Sequence, residues 1–503
     1  MDDSLKHTNR MNSKDHSSET ASFYHLGRES PTEILCRGMA CFAARHLDRD
    51  RWDRAWFQVP PVYCLGKCYL APASSAADAP PRIEIRASRP VILTRMVEGG
   101  ARNVKEYADR EGYKALETAL HQSPMEIVSE LELSGLRGRG GAAFPTGKKW
   151  RAVREQIAEP KFIVANADEG DPGAYIDRFI LEDDPHSLIE SMAIAAYAVG
   201  AARGYVYVRN EYPRAYSILR RAVADARLEG ILGEHVLRSD FSFDLELVLG
   251  QGSYVCGEET ALLNSLELKR PVARPRPPYP TQQGLMGKPT LVNNVETLVN
   301  VPWIIRHGGE AYRSMGFSSS RGTKVISPNS LFQRPGLYEI EFGISVRRII
   351  EELGGGLKTG PITGAIIGGP LAGIIPPSMF DTPFGFEELR SIGASVGHGG
   401  IVAFDDRTSI AQLIHHVFEF GAFESCGRCT PCRLGSRRVE HIFRAVADGG
   451  SLSLAEKSEA DRIVSVLGMT SLCGLGSGLA EFAQGALRYY GKELEHASCQ
   501  DQQ

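Results

Sequence analysis

All the cysteines of this 503-residue chain except Cys256 and Cys499 fall into two groups, whose spacing is typical of metal ligation. The C-terminal group combines Cys426, Cys429 and Cys432, at three-residue intervals, with a remote fourth thiol, Cys473. Structural zinc sites usually use two separated Cys-x2-Cys pairs, whereas a continuous run of this kind is typical of a 4Fe-4S cluster. We therefore predict a 4Fe-4S cluster, with a zinc-stabilised helix end as the alternative.

The N-terminal group consists of two pairs, Cys36-x4-Cys41 and Cys64-x3-Cys68, joined by residues 42–63. The glycine in CLGKC lets backbone N–H groups approach a sulfur, which favours a 2Fe-2S cluster over zinc. Residues 1–20 are polar and lack the apolar segment of an export signal, so we expect the chain to stay in a reducing compartment. Reducing conditions argue against disulfides. The two cysteines outside the groups have no companion and are interpreted as a buried thiol and a tail thiol.

A glycine-rich segment, GLRGRGGAAFPTGKKW at residues 135–150, has the composition of a phosphate-binding loop. It resembles the dinucleotide fingerprint, but it follows a predicted helix, and no acidic residue can be assigned to a ribose. A tight structural turn explains such a loop equally well. The cations in and beside it favour phosphate binding, and they are Arg137, Arg139, Lys148 and Lys149.

Carboxylates and amides cluster in three further motifs. NADEGDPG places Asn166, Asp168, Glu169 and Asp171 in one turn, where they either cap the following helix or accept hydrogen bonds from a ribityl chain, a ribose or a nicotinamide amide. The motifs YVCGEET (254–260) and VNNVETL (292–298) repeat this combination, and each by itself can be a helix cap.

Composition excludes several function classes. The net charge of -4 and the 23% of charged residues give no reason to propose nucleic acid or anionic lipid as a partner. No run of about 18 apolar residues is present, so direct membrane insertion is not expected and any membrane association would require a partner protein. The cytoplasm is the expected compartment.

The elements that must position these motifs follow from hydrophobic periodicity, and the length allows roughly three domains. A Ser-Pro start predicts a helix over 123–134 that leads into the glycine-rich loop. Strand and helix patterns then alternate to about residue 315, which predicts an α/β layer architecture. Short β-rich segments over 323–404, with one helix near 345–353, predict a small β-dominated domain, and the rest of the chain is predicted to be helical.

With these motifs in this order, the chain resembles the NADH-oxidising flavoprotein (51-kilodalton, or F) subunit of respiratory complex I. It also resembles the relatives of that flavoprotein in soluble NAD-linked hydrogenases and formate dehydrogenases. The resemblance covers about residues 110–490, and the motifs that carry it are GLRGRGGAAFPTGKKW, NADEGDPGAYIDR, GSYVCGEETALLNSLE, GKPTLVNNVETL, ESCGRCTPCRLG and SLCGLG.

The resemblance implies a multidomain α/β protein. A Rossmann-like FMN- and NADH-binding domain is expected over 86–320, a β-grasp (ubiquitin-like, SLBB-like) domain over 321–405 and a helical 4Fe-4S domain over 406–503. The N-terminal cysteines look like those of the thioredoxin-like 2Fe-2S module that is a separate 24-kilodalton subunit of complex I. Here this module would be fused and shortened, over 29–85, after a disordered tail at 1–28.

The resemblance also assigns site residues, motif by motif. Three carboxylates are expected to tune charge at the flavin and nicotinamide affinity: Glu169, Asp171 and Glu259. The expected contacts with FMN and the nucleotide, including two aromatic rings for the adenine, are Gly138, Arg139, Gly140, Gly141, Phe144, Lys149, Asn166, Asp168, Glu169, Tyr254, Gly257, Glu258, Glu259, Arg276, Tyr279, Asn293, Asn294 and Thr297.

The implied function is that of an NAD(H) diaphorase subunit, with FMN between NAD and the iron-sulfur clusters. Asp171 stands where respiratory members usually have Glu, and Arg276 where many have Lys. With the N-terminal fusion, these departures favour a soluble formate dehydrogenase or hydrogenase complex, whose iron-sulfur or catalytic subunits would be the partners. The 51-kilodalton flavoprotein of complex I (NADH-quinone oxidoreductase) is the alternative, and a non-redox, zinc-stabilised nucleotide-binding scaffold is a remote one.

The choice between iron and zinc predicts the colour of the protein. We expect the purified chain to be brown, with broad visible absorption and about six iron atoms per chain if both predicted clusters are loaded. Metal analysis and acid-labile sulfide assays check this expectation. A colourless protein that contains zinc but no sulfide would contradict it.

Overall fold

A computed structural model describes residues 33–58 and 61–496, so the predicted tail at 1–28 and Cys499 lie outside the described residues. The N-terminal segment contains helices α1 (Met39–Ala43) and α2 (Arg49–Phe57), followed by strand β1 (Arg82–Ile85). Over the described residues of 33–81 it has isolated β-bridges and no strand. A thioredoxin-like fold needs a sheet of its own, so this expectation fails for the described segment, because the linker between the cysteine pairs is used mostly for helix.

Four helices lead to the glycine-rich loop: α3 (Thr94–Val97), α4 (Val104–Ala108), α5 (Lys114–Leu120) and α6 (Pro124–Ser134). The predicted helix over 123–134 is confirmed. Its N-terminus is a capping box, in which Ser123 and Glu126 each accept a backbone N–H of the other, and Gly135 ends the helix with φ +67°.

The first sheet is parallel and has four strands in the order β4-β3-β2-β5. The predicted alternation of strands and helices is confirmed, and the carboxyl ends of all four strands meet at one edge. The elements are α7 (Thr146–Arg154), β2 (Phe162–Ala167), α8 (Ile176–Asp183), α9 (Pro185–Val199), β3 (Arg203–Val208), α10 (Pro213–Leu228), β4 (Asp244–Leu249), α11 (Glu259–Leu266), α12 (Pro280–Gln283), β5 (Thr290–Asn294), α13 (Val295–Val299), α14 (Val301–His307) and α15 (Gly309–Arg313).

A second, six-stranded sheet follows, in the order β1-β9-β8-β12-β10-β11. Strand β1 pairs with β9, so the N-terminal segment is joined to this sheet. Its elements, with a small separate hairpin first, are β6 (Gly316–Phe317), β7 (Ser320–Arg321), β8 (Thr323–Pro328), β9 (Gly336–Glu341), α16 (Val346–Arg348) with a π-helical turn (Ile349–Leu353), β10 (Ile362–Ile367), β11 (Ile374–Ile375), α17 (Phe386–Ser391) and β12 (Gly400–Asp405).

The C-terminal part is helical, as predicted, with α18 (Ile410–Glu424), α19 (Thr430–Ala447), α20 (Leu454–Thr470) and α21 (Gly474–His496). Two short connections, one between α18 and α19 and one between α20 and α21, carry the C-terminal cysteines. None of the helices within the described ranges is both long and apolar enough to cross a membrane.

A buried ion pair joins the two sheet-containing units. Lys324 on β8 and Glu296 on α13 are both fully buried, and the ammonium donates to the carboxylate and to the carbonyls of Val325 and His398. The second carboxylate oxygen of Glu296 accepts the backbone N–H of Val325 at 2.9 Å. Because a buried charge is tolerated only when it is paired and hydrogen-bonded, this pair fixes the second unit against α13.

Replacing Lys324 by Met is expected to destabilise the protein by about 3–5 kcal/mol, because the charge of Glu296 then stays buried without its partner. The double variant with Glu296→Leu removes both charges and is expected to recover most of this loss. Urea-unfolding midpoints measure both effects. Equal midpoints for the parent and the single variant would show that the pair does not stabilise the junction.

Candidate functional site

A cavity of about 590 Å³ lies at the carboxyl edge of the first sheet, where ligands bind in open α/β sheets. The glycine-rich loop, the acidic turn after β2 and the loop after β4 form one wall, and the loops after β10 and before β12, together with α17 and α21, form the other. The predicted site residues that line it are Gly140, Gly141, Asn166, Asp168, Asp171, Tyr254, Gly257, Glu258, Asn294 and Cys473.

The glycine-rich loop needs its glycines for two different reasons. A Cβ on Gly140 would lie 2.8 Å from Cβ of Asn294, so this position is closed by packing. Gly141 has φ +111°, and a Cβ there would have no neighbour within 4 Å. The loop therefore packs tightly on β5 at one glycine and leaves free space beside its backbone at the next, as a loop that accepts a ligand closely must.

Arg139 holds this loop from behind. Its side chain is fully buried and donates to the hydroxyl of Tyr312 and to the carbonyls of Arg137 and Arg321. Its backbone N–H donates to Oγ1 of Thr297 at 2.8 Å. The structure thus uses Arg139 and Thr297 to anchor the loop on α13, and neither residue is part of the cavity lining.

The acidic turn is linked to the loop after β4 by two hydrogen bonds. Asn166 donates to the carbonyl of Gly257 at 2.8 Å, and the hydroxyl of Tyr254 donates to Asp171 at 2.7 Å. Burial raises the pKa of Asp171 and raises that of Asp168 to about 8, although the guanidinium of Arg209 opposes the latter shift. The cavity wall therefore carries carboxyl groups that are less ionised than ordinary surface carboxylates.

Glu169 lies outside the cavity lining, although it is part of the same turn. Its fully buried carboxylate accepts the N–H groups of Ile176, Asp177 and Arg178 at the start of α8, and the hydroxyl of Tyr212 at 3.1 Å. The helix-cap interpretation of the motif thus applies to Glu169. Burial raises the pKa of Glu169 to about 7.

Glu259 belongs to a charged group outside the cavity lining. Lys149 and Arg276 each donate to its carboxylate at 3.0 Å, and Lys149 also donates to the carbonyl of Val292.

Of the two predicted aromatic contacts, Phe144 is 52% exposed and Tyr279 is 53% exposed. The three remaining predicted residues also lie outside the cavity lining. Asn293 accepts a hydrogen bond from Trp150, and Thr297 accepts one from the backbone of Arg139. Gly138 donates to the carbonyl of Phe144.

The four C-terminal cysteines converge between the two short connections of the helical part. Cys426 and Cys432 are buried, Cys429 and Cys473 are partly exposed, and Cys473 lines the cavity. Burial raises the pKa of Cys432 to about 12, and the charges of the other three thiols add to this shift. Four thiols gathered between these two connections fit a site completed by a metal cluster.

The four N-terminal cysteines form a second buried group. The Sγ atoms of Cys64 and Cys68 are 3.4 Å apart. Backbone N–H groups of Gly38, Gly66 and Ala73 donate to Cys36, Cys64 and Cys41, respectively, at 3.3–3.4 Å. Hydrogen bonds of this kind to the sulfurs are one of the means by which proteins set the potential of an iron-sulfur cluster, so the donor set fits such a group.

Sequence reasoning missed the contributions of the second sheet and of α21 to the cavity. His398 lies on the loop before β12 and is 5% exposed; its Nε2 is 2.9 Å from Asp177 and 3.4 Å from Glu169. Burial would lower the pKa of His398, but these carboxylates outweigh it and raise the value to about 9. The glycines that flank it in GHGG are the only local signal, and they indicate a turn and not a site.

Comparison with known proteins matches both halves of this site. Residues 131–303 match the family model described as the Nuo51 FMN-binding domain, and residues 412–497 match that of the NADH-ubiquinone oxidoreductase-F iron-sulfur binding region.

Two relatives are similar over most of their length. The NADP-reducing hydrogenase subunit HndC of Solidesulfovibrio fructosivorans is 43% identical over 378 residues, which are 74% of this chain and 76% of that protein. The F subunit of the NADH-quinone oxidoreductase of Escherichia coli is 39% identical over 394 residues, 78% of this chain and 88% of that protein. A crystal structure of an NAD+-reducing NiFe-hydrogenase in the air-oxidised state superimposes with a TM-score of 0.79 at 29% identity, covering 95% of this chain and 87% of that one.

The raised pKa of Asp168 predicts how stability depends on pH. Its carboxyl keeps its proton to about pH 8 in the folded chain but loses it near pH 4 when unfolded, so stability falls with rising pH between these values. The slope is at most about 1.4 kcal/mol per pH unit. Asp168→Asn removes this loss, so the variant should gain stability over the parent from pH 5 to pH 8.

Urea-unfolding midpoints of flavin-free protein at several pH values check this prediction. The exposed Asp109 provides the control, and Asp109→Asn is expected to follow the parent curve. Parallel curves for the parent and Asp168→Asn would show that Asp168 is ionised in the folded protein throughout.

Proposed function

Since this chain belongs to the family of FMN-binding F (51-kilodalton) subunits of NADH-ubiquinone oxidoreductase, we propose that it is the NAD(H) diaphorase subunit of a larger redox complex. It would pass hydride between NAD and FMN, and single electrons between FMN and iron-sulfur clusters. One observation carries the proposal: a single cavity is lined on one side by the glycine-rich loop and the acidic turn and on the other by Cys473, a proposed cluster ligand.

The cavity lining fits FMN. Gly141 leaves free space beside its backbone, and Asn166 and Asn294 place amides at the ends of β2 and β5. The other residues proposed to hold FMN are Asp168, Tyr254, Gly257 and Glu258. When bound, FMN supplies the conversion between a two-electron hydride donor and one-electron clusters, and the protein supplies position and electrostatics.

The three carboxylates expected to tune the cofactors differ in position, and we propose different roles for them. Asp171 lines the cavity and is held by Tyr254, so it acts directly on the charge at the flavin. Glu169 acts indirectly, by fixing the acidic turn, because its carboxylate oxygens accept the backbone N–H groups at the start of α8. Glu259, bound by Lys149 and Arg276, would contribute to the nucleotide site together with Phe144 and Tyr279.

For the C-terminal thiols we propose a 4Fe-4S cluster held by Cys426, Cys429, Cys432 and Cys473. For the N-terminal thiols we propose a 2Fe-2S cluster held by Cys36, Cys41, Cys64 and Cys68. The second proposal is supported by the way this group is fastened to the α/β unit: Arg178 donates to the carbonyl of Gly66 and Arg209 to that of Cys64, both at 3.0 Å.

We keep the domain boundaries of the sequence prediction as proposals: a cluster-binding segment at 29–85, an FMN- and NADH-binding domain at 86–320, a β-grasp domain at 321–405 and a helical 4Fe-4S domain at 406–503. The order of the second sheet supports the third of these, because its two central strands, β8 and β12, run parallel and each pairs with an antiparallel neighbour. The N-terminal segment is proposed without the thioredoxin-like sheet.

We favour a soluble NAD-linked hydrogenase or formate dehydrogenase complex over complex I. Asp171 and Arg276 support this choice, and so does the presence of the N-terminal cysteine group in the same chain. The chain of the NAD+-reducing hydrogenase structure covers 95% of this chain, so the superposition takes in part of the cluster-binding segment at 29–85. The partners would be iron-sulfur or catalytic subunits of that complex.

Reduction of ferricyanide by NADH tests the proposed activity. FMN-loaded protein is expected to catalyse it, and Cys429→Ser should retain part of this dye reduction but lose the EPR signal of the 4Fe-4S cluster. Cys256→Ser is the matched control, since this buried thiol has no companion cysteine, and its EPR spectrum should be that of the parent. FMN-loaded protein without activity would contradict the diaphorase assignment, and an unchanged spectrum in Cys429→Ser would contradict the ligand set.

A further inference from the structure

The cavity proposed for FMN has little positive charge in its interior. Of the described residues that line it, the cations are His398, Arg390 and Arg488, and only His398 is buried. Three of the cations predicted from the glycine-rich loop have other partners, since Arg137 is bonded to Glu387, Arg139 to Tyr312 and Lys149 to Glu259.

His398 is held in place from two directions. Its Nε2 is 2.9 Å from Oδ2 of Asp177, and its carbonyl accepts a hydrogen bond from Nζ of Lys324 at 3.0 Å. Its other ring nitrogen, Nδ1, has no hydrogen-bond partner among the described residues. It is also not one of the unpaired polar atoms of these residues that are fully buried, so it is accessible. An imidazolium in this position has one N–H committed to Asp177 and one available to the cavity.

The ring that carries this donor lies close to the residue on which the glycine-rich loop packs. The ring nitrogen Nε2 is 3.4 Å from Nδ2 of Asn294, the residue against which Gly140 packs. The remaining polar groups of the wall include the carboxyl groups of Asp168, Asp171 and Glu258, which supply no positive charge. A phosphate dianion brought into this cavity therefore needs a charged donor close to the backbone N–H groups of the loop.

We infer that His398 is a ligand of the FMN phosphate, in which Nδ1–H of the imidazolium donates to a phosphate oxygen and Asp177 orients the ring. This inference rests on the proposed function, because it requires FMN in the cavity. A pKa of about 9 keeps the ring charged at neutral pH, as such a role demands. His398, in the second unit of the fold, would thus supply the positive charge that Arg139 and Lys149 of the loop motif do not supply, because these two side chains are bonded to other groups.

Comparison of FMN with riboflavin, which lacks the phosphate, isolates this contact. The full chain, freed of flavin, is titrated with each compound and the quenching of flavin fluorescence is measured. In His398→Gln the affinity for FMN is expected to fall about 10- to 100-fold, the effect of losing one charge-assisted hydrogen bond, with riboflavin affinity changed less than about threefold. His398→Lys keeps a charged donor and is expected to keep most of the preference for FMN.

Two further variants separate position from charge. Asp177→Asn should reduce the FMN preference by less than His398→Gln, because Asp177 acts through the ring. His186→Asn is the matched control, since His186 is also buried but bonds to Tyr113 and does not line the cavity, and it should keep the parent ratio of affinities. The ratio is measured within each variant, so a loss of folded protein does not imitate the effect.

An unchanged ratio in His398→Gln overturns the inference. It is also overturned if this variant keeps the FMN preference while the midpoint potential of the bound flavin shifts, because the imidazolium then faces the ring system. Absence of FMN binding by the parent chain overturns the proposed function, and the inference with it.

Discussion

The site depends above all on the carboxylate of Glu169. It accepts three N–H groups from the first turn of α8 and a hydroxyl from Tyr212 next to α10, and it lies 3.4 Å from His398 of the second unit. These bonds fix the back of the acidic turn, so that its front, with Asp168 and Asp171, faces the cavity. A carboxylate at a helix N-terminus is stabilised by the unpaired N–H groups there, which explains why so buried an acid is tolerated.

The two sheet-containing units meet at this turn, and each contributes part of the cavity. Lys324 and Glu296 hold the units together by a fully buried ion pair, and Lys324 also bonds the carbonyl of His398. The cavity wall is thus continuous across the junction. One cysteine group reaches the cavity through Cys473 in the lining, and the other is joined to the acidic turn by Arg209, which donates to the carbonyls of both Cys64 and Glu169.

This arrangement is costly for stability. Burial raises the pKa of Asp168, Glu169 and Asp171, which shows that the folded chain disfavours their charged forms. A chain selected for stability alone would place apolar residues at such positions. Concentrated titratable groups in one cavity are therefore best explained by chemistry that needs them, and local violations of folding rules of this kind are typical of functional sites.

Much of this molecule can be predicted from short stretches of its sequence. The capped helix before the glycine-rich loop, the alternation of strands and helices, the helical C-terminal part and the two cysteine groups all depend on patterns within a few residues, because capping, periodicity and ligand spacing are local. The tertiary structure alone decided that Arg139 faces inward, that Glu169 caps α8, that residues 33–81 form no sheet in their described part and that His398 enters the cavity. These outcomes depend on partners far away in sequence, since His398 and Asp177 are 221 residues apart, and spacing along the chain carries no information about which distant groups will meet.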